Sequence, residues 1–275
     1  MTIGFVLRPL QLTAGQLTAS ATAGVDAAFP VANLLDPQPK VVLGSQAAGA
    51  APYNLRIDID FGADTSFDTL AVMFTNLSAA ATWTIFAAPA AAGSLTETGP
   101  NTLVTGAFGQ APQVPGRRRH ALWTGSAISR RWVRIYLTEP TLQSPAVIRC
   151  GLVLIGARWQ PSDAFRNYDL GSGRGIEDQS IIRTLAGGES HAEEGAKVPI
   201  WSAVWSGLEH AEMRALWAIV AERGTSRPVL VVEDPTATAG QNEAMHYGLL
   251  TNIQQPFERT QADKTRIELR VREML

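Results

Sequence analysis

The chain has 275 residues, of which 45% are hydrophobic and 17% are charged, and its formal net charge is −2. A chain of this length and apolar content can bury a substantial core. Its near-neutral charge gives no general attraction to nucleic acid or to an anionic membrane. The single cysteine, Cys150, excludes an intramolecular disulfide, and its apolar neighbours predict a buried, inert thiol. We find no secretory signal sequence and no apolar segment of membrane-spanning length.

An early segment, FPVANLLDPQPK (residues 29–40), has the residue types of an ordered loop. Its later prolines oppose helix formation, and Asn33 and Asp36 are residues whose side chains bond nearby backbone groups in turns. Its valine and two leucines can close the open end of an apolar core. The segment therefore predicts a loop that covers one end of a β-fold.

Short segments of alternating polarity continue as far as Arg158. In YNLRIDIDFG (residues 53–62) every second residue is apolar and the others are mostly charged, which is the period of a half-buried strand. Further strand segments are DTLAVMFTNL, ATWTIFAAP, RRWVRIYLTE and VIRCGLVLIGARW. Because no long stretch has helical period, we predict a mainly β protein whose residues 1–158 form an antiparallel β-sandwich of jelly-roll type.

The composition changes near Gln160–Pro161, and residues 159–275 predict an α+β domain with one main helix. A hairpin with an acidic, glycine-rich tip (residues 187–197) comes first. The helix is predicted over Ser206–Arg223, with a capping box at Ser206 and Glu209 and Gly224 after its last turn. Its predicted core-facing stripe consists of Met213, Leu216, Trp217 and Val220. Strands RPVLVVEDP, AMHYGLLTNI and KTRIELRVREM follow.

We find no catalytic constellation. The four histidines lack partners at metal-ligand spacing. His191 has glutamate neighbours, so a cation site is one interpretation of its segment, and an acidic loop without a ligand is the other. GSGRG (residues 171–175) precedes a predicted strand, which does not fit a phosphate-binding loop. The pairs Asp58/Asp60 and Glu233/Asp234 are unsuited to glycosidase chemistry, because alternation puts the first on a solvent face and the second ends a strand. The sequence thus predicts no catalytic residue, no cofactor and no metal.

Two groups of residues are candidates for contacts with other molecules. The first favours contacts between subunits because its segments are glycine-rich, polar and long; it comprises Gly171, Gly173, Gly175, Gly188, Glu193 and Glu194. The second could contact a glycan or another partner through aromatic rings and guanidinium groups; it comprises Tyr53, Trp123, Arg117, Arg118 and Arg119. Core packing of the aromatic rings and plain solvation of the arginines are the alternatives.

The first half resembles the discoidin-like, or galactose-binding-like, jelly-roll family over about residues 19–158. The family often carries a Pro-x-x-Asn-Leu-x-Asp loop, matched here by Pro30, Asn33, Leu34 and Asp36. A strand that ends in Asp-Phe-Gly at residues 60–62 follows. The usual tryptophan after the loop is replaced by Val42-Leu43. The resemblance implies a sandwich with sugar-binding ancestry.

The second half resembles the tube-type domain of bacteriophage tail proteins, including distal tail and baseplate proteins. The residues that carry this resemblance are DQSIIRTLAGGES, the segment from Pro199 to Pro235, and the closing strands from His246 onward. It implies a non-enzymatic structural protein of a long-tailed phage. The protein is expected to form a homo-oligomeric ring of six subunits at the distal end of the tail tube. A glycan-binding accessory protein for host adsorption is the alternative, and a carbohydrate-active enzyme the third hypothesis.

The phage resemblance also implies partners and a location. The expected protein partners are the tail tube, tail hub and tape-measure proteins. DNA is expected only in passage through the channel, and a cell-surface glycan is the expected partner of the first half. No membrane insertion is expected. The expected location is the tail tip of the virion, after assembly in the host cytoplasm.

Overall fold

The computed structural model describes residues 4–47, 49, 51–97, 101–109, 118–141, 147–162, 168–169, 172–184, 187–236, 240–251, 257–259 and 264–274. The predicted mainly β architecture is confirmed, and one α-helix occurs in this described part. Contacts divide the chain into two compact units. We call residues 7–158 and 232–245 the sandwich unit, and residues 1–6, 159–231 and 246–275 the helix unit.

The elements follow in chain order. The strands are β1 (Phe5–Pro9), β2 (Leu17–Ala21), β3 (Leu43–Gly44), β4 (Tyr53–Thr75), β5 (Thr82–Ala88), β6 (Thr102–Ala107), β7 (Arg119–Glu139), β8 (Arg149–Cys150), β9 (Leu152–Trp159), β10 (Gly173–Asp178), β11 (Ile181–Thr184), β12 (Ser190–Glu193), β13 (Lys197–Leu208), β14 (Val229–Val232), β15 (Met245–Leu250), β16 (Phe257–Arg259) and β17 (Thr265–Glu273). The α-helix α1 spans His210–Arg223, and 3₁₀ helices span Ala14–Gln16, Val31–Leu35 and Ala90–Ala92.

Two long antiparallel strands, β4 and β7, organise the sandwich unit. Their register breaks where residues 61–64 of β4 lie opposite Arg131 alone, and Gly62 there takes a φ of +78°. Such a bulge bends both strands. The first half of β4 pairs with β2, the second half pairs with β9, and β5 joins the last part of β7. One half of the β4–β7 strand pair therefore belongs to one layer of the sandwich, and the other half belongs to the second layer.

The sandwich core lies between these layers. The alternation predicted for residues 53–62 is confirmed, since Leu55, Ile57 and Ile59 are buried. They share one cluster with Leu70 and Val72 from the second half of β4. Apolar burial at about 25 cal/mol per Å² is the main stabilising contribution of such a core.

The segment at residues 29–40 is ordered as predicted, but it contains a 3₁₀ helix rather than a plain loop. Leu34 is buried in the sandwich core, and the Asn33 side-chain amide donates to the carbonyl of Val42 at 2.8 Å. The Asp36 carboxylate accepts from the backbone N–H of Gln38 at 2.8 Å. A single short 3₁₀ turn is compatible with the later prolines because it ends at Leu35, before them.

Residues 232–245 pack with the sandwich unit, which the sequence pattern does not indicate. Asn242 is buried and bonds the first residues of β7 through both ends of its side-chain amide. Its Oδ1 accepts from the backbone N–H of His120 at 3.0 Å, and its Nδ2 donates to the carbonyl of Arg118 at 2.6 Å. The asparagine thus satisfies backbone groups as a neighbouring strand would.

The helix unit contains an antiparallel sheet in the order β10-β13-β17-β15-β14, with β16 on β17. Its core combines Trp201 and Trp205 of β13 with apolar residues of α1 and β17. Trp159 and Trp205 meet edge to face, with ring centroids 5.4 Å apart. This is the predicted combination of a sheet with one main helix.

Helix α1 begins at His210, four residues later than predicted. Leu208 is buried and still pairs with Thr265, so the segment from Ser206 onward stays in β13 until the strand ends. The capping box is formed by Glu209 and Glu212, with the Glu209 N–H donating to the Glu212 carboxylate at 2.8 Å. The expectation of a cap at Ser206 was wrong because sheet pairing outweighed the local capping signal.

The buried stripe of α1 also differs from the predicted one. Leu216 and Val220 are buried as expected, and Ile219 joins them. Trp217 instead lies on the solvent side and is 47% exposed. The error arose because a tryptophan was assumed to face the core.

Glu139, the last residue of β7, is a fully buried carboxylate. It lies opposite Tyr53 at the start of β4, yet it bonds Ser78, three residues beyond the end of β4. It accepts from the N–H and hydroxyl of Ser78 at 2.5 and 2.8 Å, and from the N–H and hydroxyl of Thr141 at 2.8 and 2.9 Å. Burial opposes ionisation, but these four donors hold the pKa of Glu139 below its ordinary value.

Replacing Glu139 with glutamine is expected to destabilise the folded state by about 1–3 kcal/mol, because an amide NH₂ then faces donors that need an acceptor. Since the folded-state pKa lies below the ordinary value of 4.5, the carboxylate contributes its full stability above that pH and loses it as pH falls through the folded pKa. Urea unfolding at several pH values measures both effects.

The matched control is Glu189→Gln, because Glu189 is exposed in the structure. Its stability should equal that of the unchanged protein at neutral pH. Equal unfolding midpoints for Glu139→Gln and Glu189→Gln at pH 7 would contradict this account.

Candidate functional site

A solvent-exposed β-hairpin projects from the sheet of the helix unit. Strands β11 and β12 pair with each other, from Ile181 opposite Glu193 to Thr184 opposite Ser190. All eight residues of these two strands are exposed. We call residues 179–196 the arm. A two-stranded hairpin without a covered face is at best marginally stable by itself in water.

The arm and the strand before it carry most of the exposed apolar bulk of the helix unit. Ile182 is 72% exposed, Ile176 of β10 is 70% exposed and Ile181 is 50% exposed. Trp217 is the fourth large hydrophobic side chain that is exposed in the described part of the chain. A cluster of exposed isoleucines on a projecting hairpin is typical of a surface that another molecule covers.

The base of the arm is built by close backbone packing. The backbone N–H of Gln179 donates to the carbonyl of Ala196 at 3.0 Å, and that of Gly195 donates to the Ser180 hydroxyl at 2.9 Å. A Cβ on Gly195 would lie 2.4 Å from the carbonyl carbon and oxygen of Gln179. Only glycine fits there, so the direction in which the arm leaves the sheet depends on this residue.

An ion pair anchors the strand before the arm. Arg272 of β17 donates from two nitrogens to both carboxylate oxygens of Glu177 in β10, at 3.1 and 3.2 Å. This bidentate pair spans the intervening strand β13. The hydrogen bond from Arg272 holds the pKa of Glu177 below its ordinary value. The base is thus held in place, while the two strands beyond it are exposed.

The sandwich unit has a second candidate site, a cleft of about 310 Å³ at the bend of β4 and β7. We call it the bend cleft. Its lining residues are Gly15, Gln16, Thr18, Asp58, Ile59, Asp60, Leu95, Trp132, Val133 and Arg134. An aromatic ring next to carboxylates and a guanidinium group is the kind of surface that can stack on and hydrogen-bond a polar ring compound.

Charged groups of the bend cleft are ordered by mutual contacts. Arg134 donates to Asp58 at 2.5 Å and also contacts Glu97, which accepts from the Tyr136 hydroxyl at 2.8 Å. At the bend itself Arg131 donates to both oxygens of Asp60, at 2.8 and 3.1 Å. This hydrogen bonding lowers the pKa of Asp60 to about 2. The Asp60 carboxylate therefore remains ionised at neutral pH.

Trp132 is the aromatic residue that lines the bend cleft. The Arg131 guanidinium lies 4.6 Å from the ring centroid, a cation–π arrangement that fixes the orientation of the indole. The arginines also close the bend of the sandwich, so the same contacts have a structural role. Sequence reasoning did not select Trp132 or Arg131.

The structure gathers several of the predicted inter-subunit residues. Gly188, Glu193 and Glu194 all lie on the arm, and Gly173 and Gly175 lie in the exposed strand β10 that leads to it. The predicted hairpin tip at residues 187–197 is shorter than expected, because Ser190–Glu193 forms strand β12 and Lys197 begins β13. Gly171 lies outside the described residues.

The predicted glycan or partner contacts are not gathered into one exposed surface. Tyr53 and Arg119 are buried, which corrects the expectation that they face a ligand. Trp123 is half-buried and packs edge to face on Phe67, with centroids 6.1 Å apart. Arg118 is half-buried at the start of β7. Arg117 lies outside the described residues.

The isoleucines of the arm carry a sequence signal that was missed. Ile181 and Ile182 are adjacent, and neighbouring residues of a strand point to opposite faces. Both cannot enter one core, so an Ile-Ile pair in a short polar strand indicates apolar contact on two faces. This pattern could have marked the arm as an interaction surface.

Within the described residues, no group of three or more histidine, cysteine or acidic side chains is arranged to hold a metal ion. In the same part of the chain, α1 is too short and polar to cross a bilayer.

Comparisons with known proteins give fold-level similarities only. No family model matches the chain, and no curated protein matches it. One similar solved structure is the family 32 carbohydrate-binding module of Clostridium perfringens NanJ in complex with galactose. It is 14% identical, covers 56% of this chain and 98% of the module, and has a TM-score of 0.36.

Two further structures have similar scores. Chitosan-binding module 1 of a Paenibacillus chitosanase/glucanase is 18% identical, with 54% of this chain and 98% of the module covered and a TM-score of 0.36. A Ruminococcus gnavus GH29 fucosidase in complex with fucose is 13% identical, with 53% of this chain covered and a TM-score of 0.38. The chain spans only 26% of that fucosidase. All these TM-scores are below 0.5, so these similarities carry no functional argument.

Replacing Gly195 with alanine is expected to disorder the arm without unfolding the sheet, because the new methyl group would overlap the backbone of Gln179. Amide hydrogen exchange in β11 and β12 should become at least tenfold faster, while exchange in β13 should stay slow. The matched control is Gly187→Ala, since nothing lies within 4 Å of a Cβ at that position. Equal exchange of the arm in both variants would refute this role of Gly195.

Proposed function

We propose that this protein is a structural subunit that assembles with copies of itself through the arm. The observation that carries the proposal is the exposure of both faces of the arm, including Ile181 and Ile182. Fully burying an isoleucine side chain is worth about 1.5–3 kcal/mol. A hairpin that leaves two of them in water gains that stabilisation only when another molecule covers it.

The form of the arm favours a subunit contact over a small ligand. A hairpin whose strands are both exposed offers no enclosed pocket, whereas ligand sites are concave. Strand β10 is also the last strand in the order of the helix-unit sheet, so one of its edges faces away from the other strands of that sheet. Unprotected edges invite pairing with another chain.

We place this assembly at the tail tip of a long-tailed bacteriophage or a phage-derived particle. The support is the sequence resemblance of residues 159–275 to tail-tube-type domains, together with the sheet, single helix and projecting hairpin of the helix unit. In this proposal a ring of six subunits at the distal end of the tube connects the tube to the hub or fibres. The tail tube, hub and tape-measure proteins are its partners, and the location is the virion.

A second candidate function is glycan binding by the sandwich unit, and the bend cleft is the observation that favours it. The cleft combines an oriented indole, Trp132, with Asp58, Asp60 and Arg134, which can accept and donate hydrogen bonds to sugar hydroxyls. The galactose-binding-like resemblance of residues 19–158 agrees with this use. A tail-tip subunit with such a unit could contact a cell-surface glycan.

Removal of the arm tests the self-assembly proposal. In the deletion variant residues 181–194 are absent and Ser180 is joined to Gly195, whose backbone nitrogen already lies 2.9 Å from the Ser180 hydroxyl. We expect the full chain to sediment as a discrete oligomer, and the variant to sediment as a folded monomer with an unchanged circular dichroism spectrum. Thr184→Ser serves as the control and should assemble normally.

Two outcomes would overturn the proposal. One is a full chain that stays monomeric up to high micromolar concentration, and the other is an arm-deletion variant that forms the same oligomer. Electron microscopy of the full-chain oligomer then gives the number of subunits, for which the proposal expects six.

The bend cleft is tested separately with an immobilised array of diverse glycans. If the unchanged protein binds a glycan, Trp132→Ala should weaken binding to it at least tenfold, because aromatic stacking is lost. Thr82→Ala is the control, since Thr82 is an exposed residue of the same unit that does not line the bend cleft. A protein that binds no glycan, or equal loss in both variants, would exclude the bend cleft as the binding site.

A further inference from the structure

Helix α1 has an outer face with a distinct composition. His210, Arg214, Trp217 and Ala221 are spaced four, three and four residues apart, so they form one exposed stripe along the helix. Ala211 and Ala218 beside the stripe are exposed as well. The 47% exposed indole of Trp217 therefore lies next to a guanidinium group and among small side chains. We call this stripe the helix face.

The arm has the complementary composition. It offers Ile181 and Ile182 as apolar side chains, and its residues 181–194 contain three glutamates against one arginine. Glu193 lies directly opposite Ile181 in the hairpin register, so an acidic and an apolar group occupy neighbouring positions. An acidic, isoleucine-bearing hairpin matches a surface that combines an indole with Arg214 in both polarity and charge.

These two surfaces do not cover each other within one chain, because each remains exposed in the structure. Ile181, Ile182 and Trp217 are three of the four large hydrophobic side chains that are exposed among the described residues. A contact between the arm and the helix face therefore requires a second copy. Such a contact joins two different surfaces, so it repeats around a rotation axis and can close into a ring.

We infer that the arm of one subunit docks on the helix face of the next subunit through the face that carries Ile181 and Glu193, with Ile181 against Trp217 and Glu193 near Arg214. This inference rests on the proposed self-assembly and names its acceptor surface. Tryptophan and arginine are the residue types that most often dominate binding at such contacts. Trp217 is exposed in the free chain, so its role in assembly can be separated from folding.

The test uses two variants that each lack one half of the contact. Trp217→Asp keeps the arm but places a negative charge where the acidic arm would dock. The arm-deletion variant keeps the helix face. Each variant alone should sediment as a folded monomer. An equimolar mixture should form a 1:1 heterodimer and nothing larger, because only one arm and one intact helix face remain.

A cross-link provides a second measurement that does not depend on loss of assembly. Ile181→Cys and Ala218→Cys in one chain should form a disulfide between subunits under mild oxidation, whereas either substitution alone should not. The native thiol should not interfere, since Cys150 is fully buried and burial raises its pKa to about 12.

The outcomes separate this inference from the proposed function. A monomeric full chain refutes self-assembly itself. If the full chain assembles and Trp217→Asp assembles equally well, the proposed function stands but the helix face is not the acceptor. Two monomeric variants that fail to pair when mixed would also refute the inference, because the arm and the helix face would then not form one contact.

Discussion

The hydrogen bonding of one buried carboxylate, Glu139, closes the sandwich unit. β4 and β7 remain paired on both sides of a bend. The two ends of this strand pair must therefore come close together if the two layers are to share a core. Glu139 is where they meet: its backbone lies opposite the first residue of β4, and its carboxylate binds Ser78 just beyond the last. A buried ion is stable only when its acceptor capacity is filled. Four donors meet that condition here, and they link the strand opposite the start of β4 to the segment just beyond its end.

The arm represents the opposite physical situation. The sandwich unit packs its apolar side chains into one shared core. The arm has firm anchors only at its base, through Gly195 packing and the Glu177–Arg272 pair. Beyond that base its strands have no second layer. Holding such a hairpin in a defined direction costs conformational entropy that its own contacts hardly offset. A fixed base combined with an uncovered end is therefore better explained by a partner surface than by solvent, and this difference between the two units leads us to place the function in the arm.

Sequence reasoning succeeded where one physical effect dominates. Alternation at Leu55, Ile57 and Ile59 gave a strand with the correct buried face, since burial alone sets the period there. It failed where two effects compete. The start of α1 was misplaced because a capping signal at Ser206 lost to sheet pairing at Leu208, and Trp217 was assigned to the core because hydrophobicity was taken to imply burial. Among the candidate site residues, the acidic and glycine positions of the arm were selected from composition, and their role stays a prediction. The bend cleft was not found, because it arises from a bulge that brings together residues distant in sequence, such as Asp60 and Arg131.

The two proposed activities are compatible because they use different residues and have different physical requirements. The arm needs apolar burial against a second copy, while the bend cleft is an open cleft whose carboxylates already have arginine partners. A site of that kind binds a single sugar weakly, because much of its hydrogen-bonding capacity is already used. Assembly changes this limit: when several copies are held in one particle, binding of the second glycan becomes intramolecular, and the overall affinity can rise by about 10²–10⁴ without any new contact. Self-assembly through the arm would therefore be what makes weak glycan contacts at the sandwich unit useful for adsorption.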